Sequence, residues 1–307
     1  MTSDHHLNAT TIVDVDGVIT VDKPRGWTSH DVVNKLRRIA GTKKVGHLGT
    51  LDPMATGVLP MIVGRATRLA RFFTRNEKIY EGTIRFGFST DSYDADGSAT
   101  SEPRPVDFNE AQLDVWMRQF RGEFEQTPPP ISAQKIGGRK AYELARANIV
   151  VELKPAAVTV FDLELIGFDG VNAQVGVHCT AGTYIRGIAH DLGQLAGCGA
   201  HLAALRRTAS GDFTIDSART LEELTALADE GRLEEALTPA ARLLPDFPAE
   251  MVDAITAGRI RQGRDFHVSP FRVRPGAKFV KAISHEGQLV AIGEAKLPNI
   301  YHPVLVL

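Results

Sequence analysis

Asp52 is the residue whose setting points most directly to chemistry. It lies in GHLGTLDPMATGVL, from Gly46 to Leu59, among small and apolar residues, with Pro53 fixing the turn after it. Gly46, Gly49 and Gly57 admit backbone angles closed to other residues and allow a second molecule to approach the main chain. His47 precedes the carboxylate, Lys43 and Lys44 stand upstream, and Arg65, Arg68, Arg71 and Arg75 stand downstream. A lone acid in a glycine-rich loop inside a basic field fits a carboxylate that works on a polyanion. Taken by itself, an Asp-Pro step is more simply a turn in which the Asp side chain bonds its own backbone.

Three further residues join Asp52 as candidates: Tyr80, Tyr184 and Arg186. Tyr80 shares one face of an alternating segment with Ile84, Phe86 and Phe88, so its hydroxyl needs a partner or a ligand. Tyr184 and Arg186 lie in CTAGTYIRGIAHDLG. Residues two apart at a helix start diverge by about half a turn, so both reach one cleft only if Tyr184 precedes the regular helix. Alone, such a string reads as a boundary aromatic and a surface cation. HExxH, P-loop and GxGxxG patterns are absent, which leaves nucleotide hydrolysis and hydride transfer without support. Cys179 and Cys198 are the only cysteines and form no CxxC pair, so they read as buried reduced thiols.

The elements that must position these residues follow from pattern. Val18–Val21 reads as a buried strand. Thr28 or Ser29 caps a helix with Val32, Val33, Leu36 and Ile39 inward, and Gly41 ends it. After the Asp52 loop come a strand over Val58–Val63, a short helix over Ala66–Phe73 and a strand over Ile79–Phe88. Asp91–Ser98 is an acidic turn without the spacing of a calcium loop. Asp107–Phe120 reads as an amphipathic helix. Thr127–Arg146 is a proline-led, Gly-hinged basic excursion with a short helix from Lys140 to Ala147, a candidate binding loop. Strands over Ala157–Phe168 and Val171–Cys179, a helix over Thr183–Leu195 and an acidic helix over Leu221–Leu237 follow. Short strands at Lys278–Ile283, Gln288–Ile292 and Val304–Leu307 predict a small β domain. Strands and helices mix without a βαβ rhythm, which gives an α+β class with a mixed, largely antiparallel sheet flanked by helices.

The chain has 307 residues, 43% of them apolar and 23% charged, with net charge -2, so it is expected to be an ordinary soluble protein of one large or one large and one small domain. Its charge is sorted. Lys35–Lys78 holds ten basic and two acidic residues, Asp216–Asp253 ten acidic and three basic, and Ala254–Lys281 seven basic and one acidic. Basic faces of this kind attract phosphate backbones. The start has no basic or apolar leader pattern and no apolar run approaches the ~20 residues needed to span a bilayer, so a cytoplasmic location with no membrane contact is expected. Nothing reads as a coiled coil or long apolar stripe, so a monomer is expected.

Five segments together resemble the TruB family of tRNA pseudouridine synthases, in its bacterial form: VDKPRGWTSHDVV, GHLGTLDPMATGVLPMIVGRATR, KIYEGTIRFGFSTDSYDADG, TPPPISAQKIGGRKAYELAR, and GTYIRGIAHDLG with LRRTASGDF. The resemblance implies a pseudouridine-synthase core over residues 16–245, with an RNA-binding insertion about 127–150, after a flexible stretch at 1–15. By position and strand content, 246–307 resembles the family's PUA-like domain. The implied reaction is isomerisation of uridine 55 in the T loop of elongator tRNAs, with base flipping and without metal, nucleotide or organic cofactor. Asp52 then matches the nucleophile, Arg186 its arginine partner, which favours the charged carboxylate, and Tyr80 the stacking tyrosine. Tyr184 and Leu205 match pocket residues, and His47 the histidine that fills the gap left by the flipped base. Arg68 and Asp94 match positions near the site, with Arg68 where the family often has lysine. Lys23, from the first motif, joins the substrate-binding set. The resemblance implies tRNA as partner, its T arm at the core and its acceptor arm at Arg259, Arg261, Arg264, Arg272 and Arg274, with no obligate protein partner. Two rivals remain at this level. One is an RNA-binding or RNA-folding protein with secondary catalysis. The other is a guide-dependent enzyme acting on ribosomal RNA.

Overall fold

The computed structural model describes residues 16–131, 135–136, 139–140, 154–271 and 276–307. In chain order the first part comprises β1 (Gly17–Lys23), α1 (Ser29–Ile39), β2 (Val45–His47), β3 (Thr56–Val63), a 3-10 helix (Gly64–Phe72), β4 (Lys78–Phe86), α2 (Glu110–Met117) and β5 (Gly122–Gln126). It continues through β6 (Lys135–Ile136), β7 (Arg139–Lys140), β8 (Ala156–Phe168), β9 (Asn172–Cys179), α3 (Ile185–Leu195), β10 (Ala200–Ser210), β11 (Phe213–Thr214), α4 (Leu221–Asp229) and β12 (Leu237–Pro239). The chain closes with β13 (Ala249–Val252), α5 (Ala254–Arg261), β14 (Phe266–His267), β15 (Phe279–Ser284), β16 (Leu289–Leu297) and β17 (Ile300–Val306).

The large sheet runs β12-β1-β3-β10-β4-β9-β8-β5, with β2 beside β3 and β11 beside β10. All its pairings are antiparallel except β3 with β10, which is parallel and confined to Thr56–Arg206 and Gly57–Arg207. This is the α+β class that the pattern predicts, with a mixed, largely antiparallel sheet. The smaller sheet, β13-β15-β16-β17-β14, is the PUA-like β unit.

One apolar core lies between the large sheet and α1, α2, α3 and α4, and includes Val32, Leu36, Tyr80, Ile84, Ile188 and Leu205. A second joins the two sheets: Val18, Ile62 and Leu69 pack with Leu289, Ile292 and Leu305. Here Phe72 meets Phe247 and Phe279 edge-on at 5.5 and 5.4 Å. Cys179 and Cys198 are free and buried, and burial pushes the Cys179 thiol up to about 11.

Several predicted elements need correction. The segment over Ala66–Phe73 is a 3-10 helix, which begins at Gly64. The helix before Gly122 starts at Glu110, because Asn109 makes a capping box with Gln112. The acidic helix stops at Asp229, and after Gly231 (φ 71°) the chain forms a 3-10 turn over Leu233–Ala236 and then β12. Lys140 sits in β7, opposite Lys135, and residues 141–147 of the expected helix lie outside the described residues. The segment from Ala200 to Ser210, given no element by pattern, is a central strand.

The parallel join of β3 and β10 constrains Gly57. Its φ is +97°, and a Cβ there would fall 2.2 Å from the Arg207 carbonyl oxygen. Gly57→Ala is therefore expected to destabilise the fold by at least about 1–3 kcal/mol from the backbone conformation alone. The shift of the urea midpoint measures it.

Candidate active site

The Asp52 loop is pinned on both sides of its carboxylate. The Ser29 hydroxyl accepts from Leu51 N at 2.9 Å and donates to Leu51 O at 3.1 Å. Thr28, not Ser29, caps α1, through a capping box with Asp31, and this leaves Ser29 for the loop. On the other side, Pro53 O accepts from Lys23 Nζ at 3.2 Å and from Gly26 N at 2.8 Å. The loop's carbonyls at Gly49, Thr50 and Val58 accept from the Arg207 guanidinium.

Arg186 meets Asp52 from the first turn of α3. Its Nε lies 2.9 Å from Asp52 Oδ2, an ion pair in which the N–H is out of line for a hydrogen bond. Its Nη2 donates to Asp52 Oδ1 at 3.3 Å. The same guanidinium lies 3.4 Å from Asp94 Oδ2 and donates to Ser92 O at 2.7 Å and Ile131 O at 3.1 Å. A cation in the first turn of a helix opposes the helix dipole, and two carboxylates offset that here. Tyr184 is the N-cap residue, extended at φ -95° and ψ 103°, so it precedes the regular helix as a shared cleft requires.

Burial pushes the Asp52 carboxyl above the ordinary 3.8; the Arg186 charge opposes this and the Asp94 charge adds to it. The arginine partner favours the charged form, but desolvation is the larger effect. Protein surrounds most of the group, while 37% of its side chain stays exposed, against 5% for Arg186 and 7% for Asp94. Tyr80 is buried beside Arg207, its cross-strand neighbour. Burial raises its phenol and Arg207 opposes the rise, so a neutral hydroxyl is held in the site.

The remaining expected site residues are dispersed around this centre. His47 is half-buried on β2, opposite Met61 of β3. Leu205 lines a cavity of about 490 Å³ with Met54, Thr56, Gly82, Glu81 and Arg206. Lys23 and Arg68 bond within the protein. Lys23 is fully buried, and its ammonium donates to the carbonyls of Pro24, Trp27 and Pro53, which supports the loop. Arg68 points away and donates to Val306 O of β17, so it holds the two sheets together. Arg272 and Arg274 lie outside the described residues.

Family models match the chain over residues 37–185, described as TruB family pseudouridylate synthase (N terminal domain), and 186–245, described as tRNA pseudouridylate synthase B C-terminal domain. A tRNA pseudouridine synthase B of Solibacter usitatus is 60% identical over 293 residues, covering 95% of this chain and all of that protein. The chain belongs to the TruB pseudouridylate synthase family. It is thereby an isomerase. A tRNA pseudouridine synthase B of Thermobifida fusca is 44% identical and covers 91% of this chain and 94% of that one. Among solved structures, a Cbf5-Nop10-Gar1 complex matches with TM-score 0.71 and 27% identity, over 94% of this chain and 83% of the other.

Sequence reasoning missed three residues of this TruB-family site. Arg207 lies in the LRRTASGDF segment but draws no assignment of its own from the sequence. Tyr93, at φ 65°, stands between Ser92 and Asp94 and stacks on His190 of α3 at 3.7 Å, which holds both Arg186 partners to that helix. Gln126, buried at the end of β5, accepts from Tyr184 N at 2.8 Å and donates to Tyr184 O at 2.9 Å. A Cβ at Gly187 would meet Gln126 Nε2 at 2.9 Å, so the glycine leaves room for this clamp. Gln126→Ala removes the side-chain acceptor of Tyr184 N, while Tyr184 O keeps Gly187 N and Ile188 N, and is expected to cost about 1–3 kcal/mol. Thermal denaturation checks the cost.

Proposed function

We propose that this chain converts uridine 55 in the T loop of elongator tRNAs to pseudouridine, with Asp52 as nucleophile. The observation that carries the reading is Asp52 itself: a carboxylate pinned by its loop, paired with Arg186 and still partly exposed. Identity of 60% with a tRNA pseudouridine synthase B supports tRNA as the substrate.

The target uridine is stacked within the folded T loop and must be turned out, at a cost of a few kcal/mol. His47, on the strand that leads into the loop, fills the space it leaves. Tyr80, Tyr184 and Leu205 take the uracil. The ionised Asp52 attacks the nucleoside, the C1′–N1 bond breaks, and the uracil turns. A C1′–C5 bond then forms, C5 loses its proton, N1 gains one, and Asp52 is released unchanged. Arg186 keeps the carboxylate ionised against the desolvation of its site. Tyr80, held as a neutral phenol, stacks on the ring and relays a proton.

Recognition rests on shape and phosphates, as for other structured RNA loops. The exposed basic residues from Arg38 to Arg75 face the T arm. Arg259, Arg261 and Arg264, exposed around the end of α5, face the acceptor arm.

The direct test is incubation of the purified chain with unmodified elongator tRNA transcript, with pseudouridine mapped beside Asp52→Asn. Modification confined to uridine 55 and lost in the variant is the expected result. Tight binding by both proteins without modification by either would replace this reading with one of RNA folding.

Two further outcomes follow from the site. Attack needs ionised Asp52, whose pKa is raised, so the rate falls as pH drops through a limb above 3.8. Asp94→Asn removes the negative neighbour and is expected to move that limb to lower pH in a pH–rate profile. Tyr80→Phe keeps the ring and removes the proton relay, with an expected loss of about 10²-fold or more in the single-turnover rate and unchanged tRNA affinity.

A further inference from the structure

Arg207 is 1% exposed, and its guanidinium donates to three main-chain carbonyls. Nε donates to Val58 O at 2.7 Å, Nη2 to Gly49 O at 3.1 Å and Nη1 to Thr50 O at 3.4 Å. Gly49 and Thr50 precede Asp52, and Val58 follows it, so one side chain closes the loop from both ends. The main chain of Arg207 holds the loop as well, through the parallel pairing with Gly57. Across β4, Arg207 faces Tyr80, and its charge and hydrogen bonding act on that phenol.

The electrostatic setting makes this arrangement costly. Lys23 and Lys78 are also buried, and the Arg207 charge contributes to holding each down to about 8, after burial itself. A buried cation without a carboxylate partner is expensive, and an apolar side chain of similar size would often serve packing alone better. What an apolar side chain cannot supply is a fork of donors aimed at three carbonyls of one loop.

We propose that Arg207 is a positioning residue for the isomerisation: it holds the Asp52 loop and the Tyr80 phenol at a fixed spacing, so that carboxylate and phenol meet the substrate together. The inference rests on Asp52 being the nucleophile. A displacement of about 1 Å at reacting groups costs on the order of 10²-fold in rate.

The test uses the full chain and unmodified elongator tRNA transcript. Wild type and Asp52→Asn are measured first, so a failure of the functional reading shows before any Arg207 variant is judged. Arg207→Lys keeps the charge but loses the fork. It is expected to fold, to bind tRNA as wild type does, and to lose about 10–100-fold in single-turnover rate. Its acid limb is expected to move to higher pH, because a slipped loop parts Asp52 from Arg186. The charged groups acting most strongly on Asp52 are Arg186, Asp94 and Lys23, and the substitution alters none of them. A structural role alone would lower the melting temperature without moving that limb.

Wild-type rate and limb in a folded Arg207→Lys protein would overturn the proposal. If that variant does not fold, Gly49→Ala decides. Gly49 has φ +128°, and its Cβ would sit 3.7 Å from Arg207 Nη1, so alanine shifts the loop with Arg207 in place. The same loss of rate with unchanged affinity supports the proposal, and a wild-type rate refutes it.

Discussion

A carboxylate enclosed by protein on most sides loses the hydration that keeps it ionised, and Arg186 is the group that replaces that hydration at Asp52. The requirement is geometric before it is electrostatic. The guanidinium and the carboxylate come from elements far apart in sequence, and they meet at 2.9 Å only if the loop and the start of α3 are both fixed. Much of the buried polar chemistry in the chain serves that meeting. Ser29, Lys23 and Arg207 fix the loop, while Gln126 and the Tyr93–His190 stack fix the helix start and its partners.

Arg186 is shared rather than dedicated. Its ion pair with Asp94 and its bonds to the carbonyls of Ser92 and Ile131 occupy the rest of the fork. Sharing limits how far Arg186 can lower the Asp52 pKa, and the Asp94 charge raises it further. In return the cation cannot swing out of the site when a substrate arrives. Lys23 and Arg207 hold the loop through its neutral carbonyls, so neither pairs with Asp52. The bond to the Ile131 carbonyl also fixes Arg186 to the stretch that follows β5.

The Asp52 loop was legible because glycine and proline act locally, and the alternating strands and α1 were legible because periodicity is a property of each segment alone. Strand β10 was not, for two reasons. Its register shifts at Leu202–Ala204 and Arg207–Ala209 break the alternation, and the adjacent arginines at 206 and 207 give no sign that the second is buried. The burial of Lys23 is equally hidden in the sequence. A charge in a sequence predicts exposure, and only the fold shows carbonyls turned inward to receive it. Gln126 carried no signal, since its role depends on Tyr184 from a distant strand-to-helix turn.

Arg68 shows how an expected site residue serves function at a distance. The Asp52 loop feeds β3, and β3 runs directly into the 3-10 helix at Gly64. From that helix Arg68 and Arg71 donate to the carbonyls of Val306 and Val304 on β17, and Phe72 packs between Phe247 and Phe279. Lys281 adds bonds of 3.1 and 2.9 Å to the carbonyls of Ala241 and Leu243. The contact between the sheets is therefore an apolar core with satisfied polar edges, unlike the more polar interfaces that permit domain motion. The smaller sheet also carries α5 and its exposed arginines, through Ala257 and Ile260. A packed path thus runs from the Asp52 loop to a second basic surface. An RNA that touches both is measured by the distance between them, which is how a protein reads a folded RNA by shape.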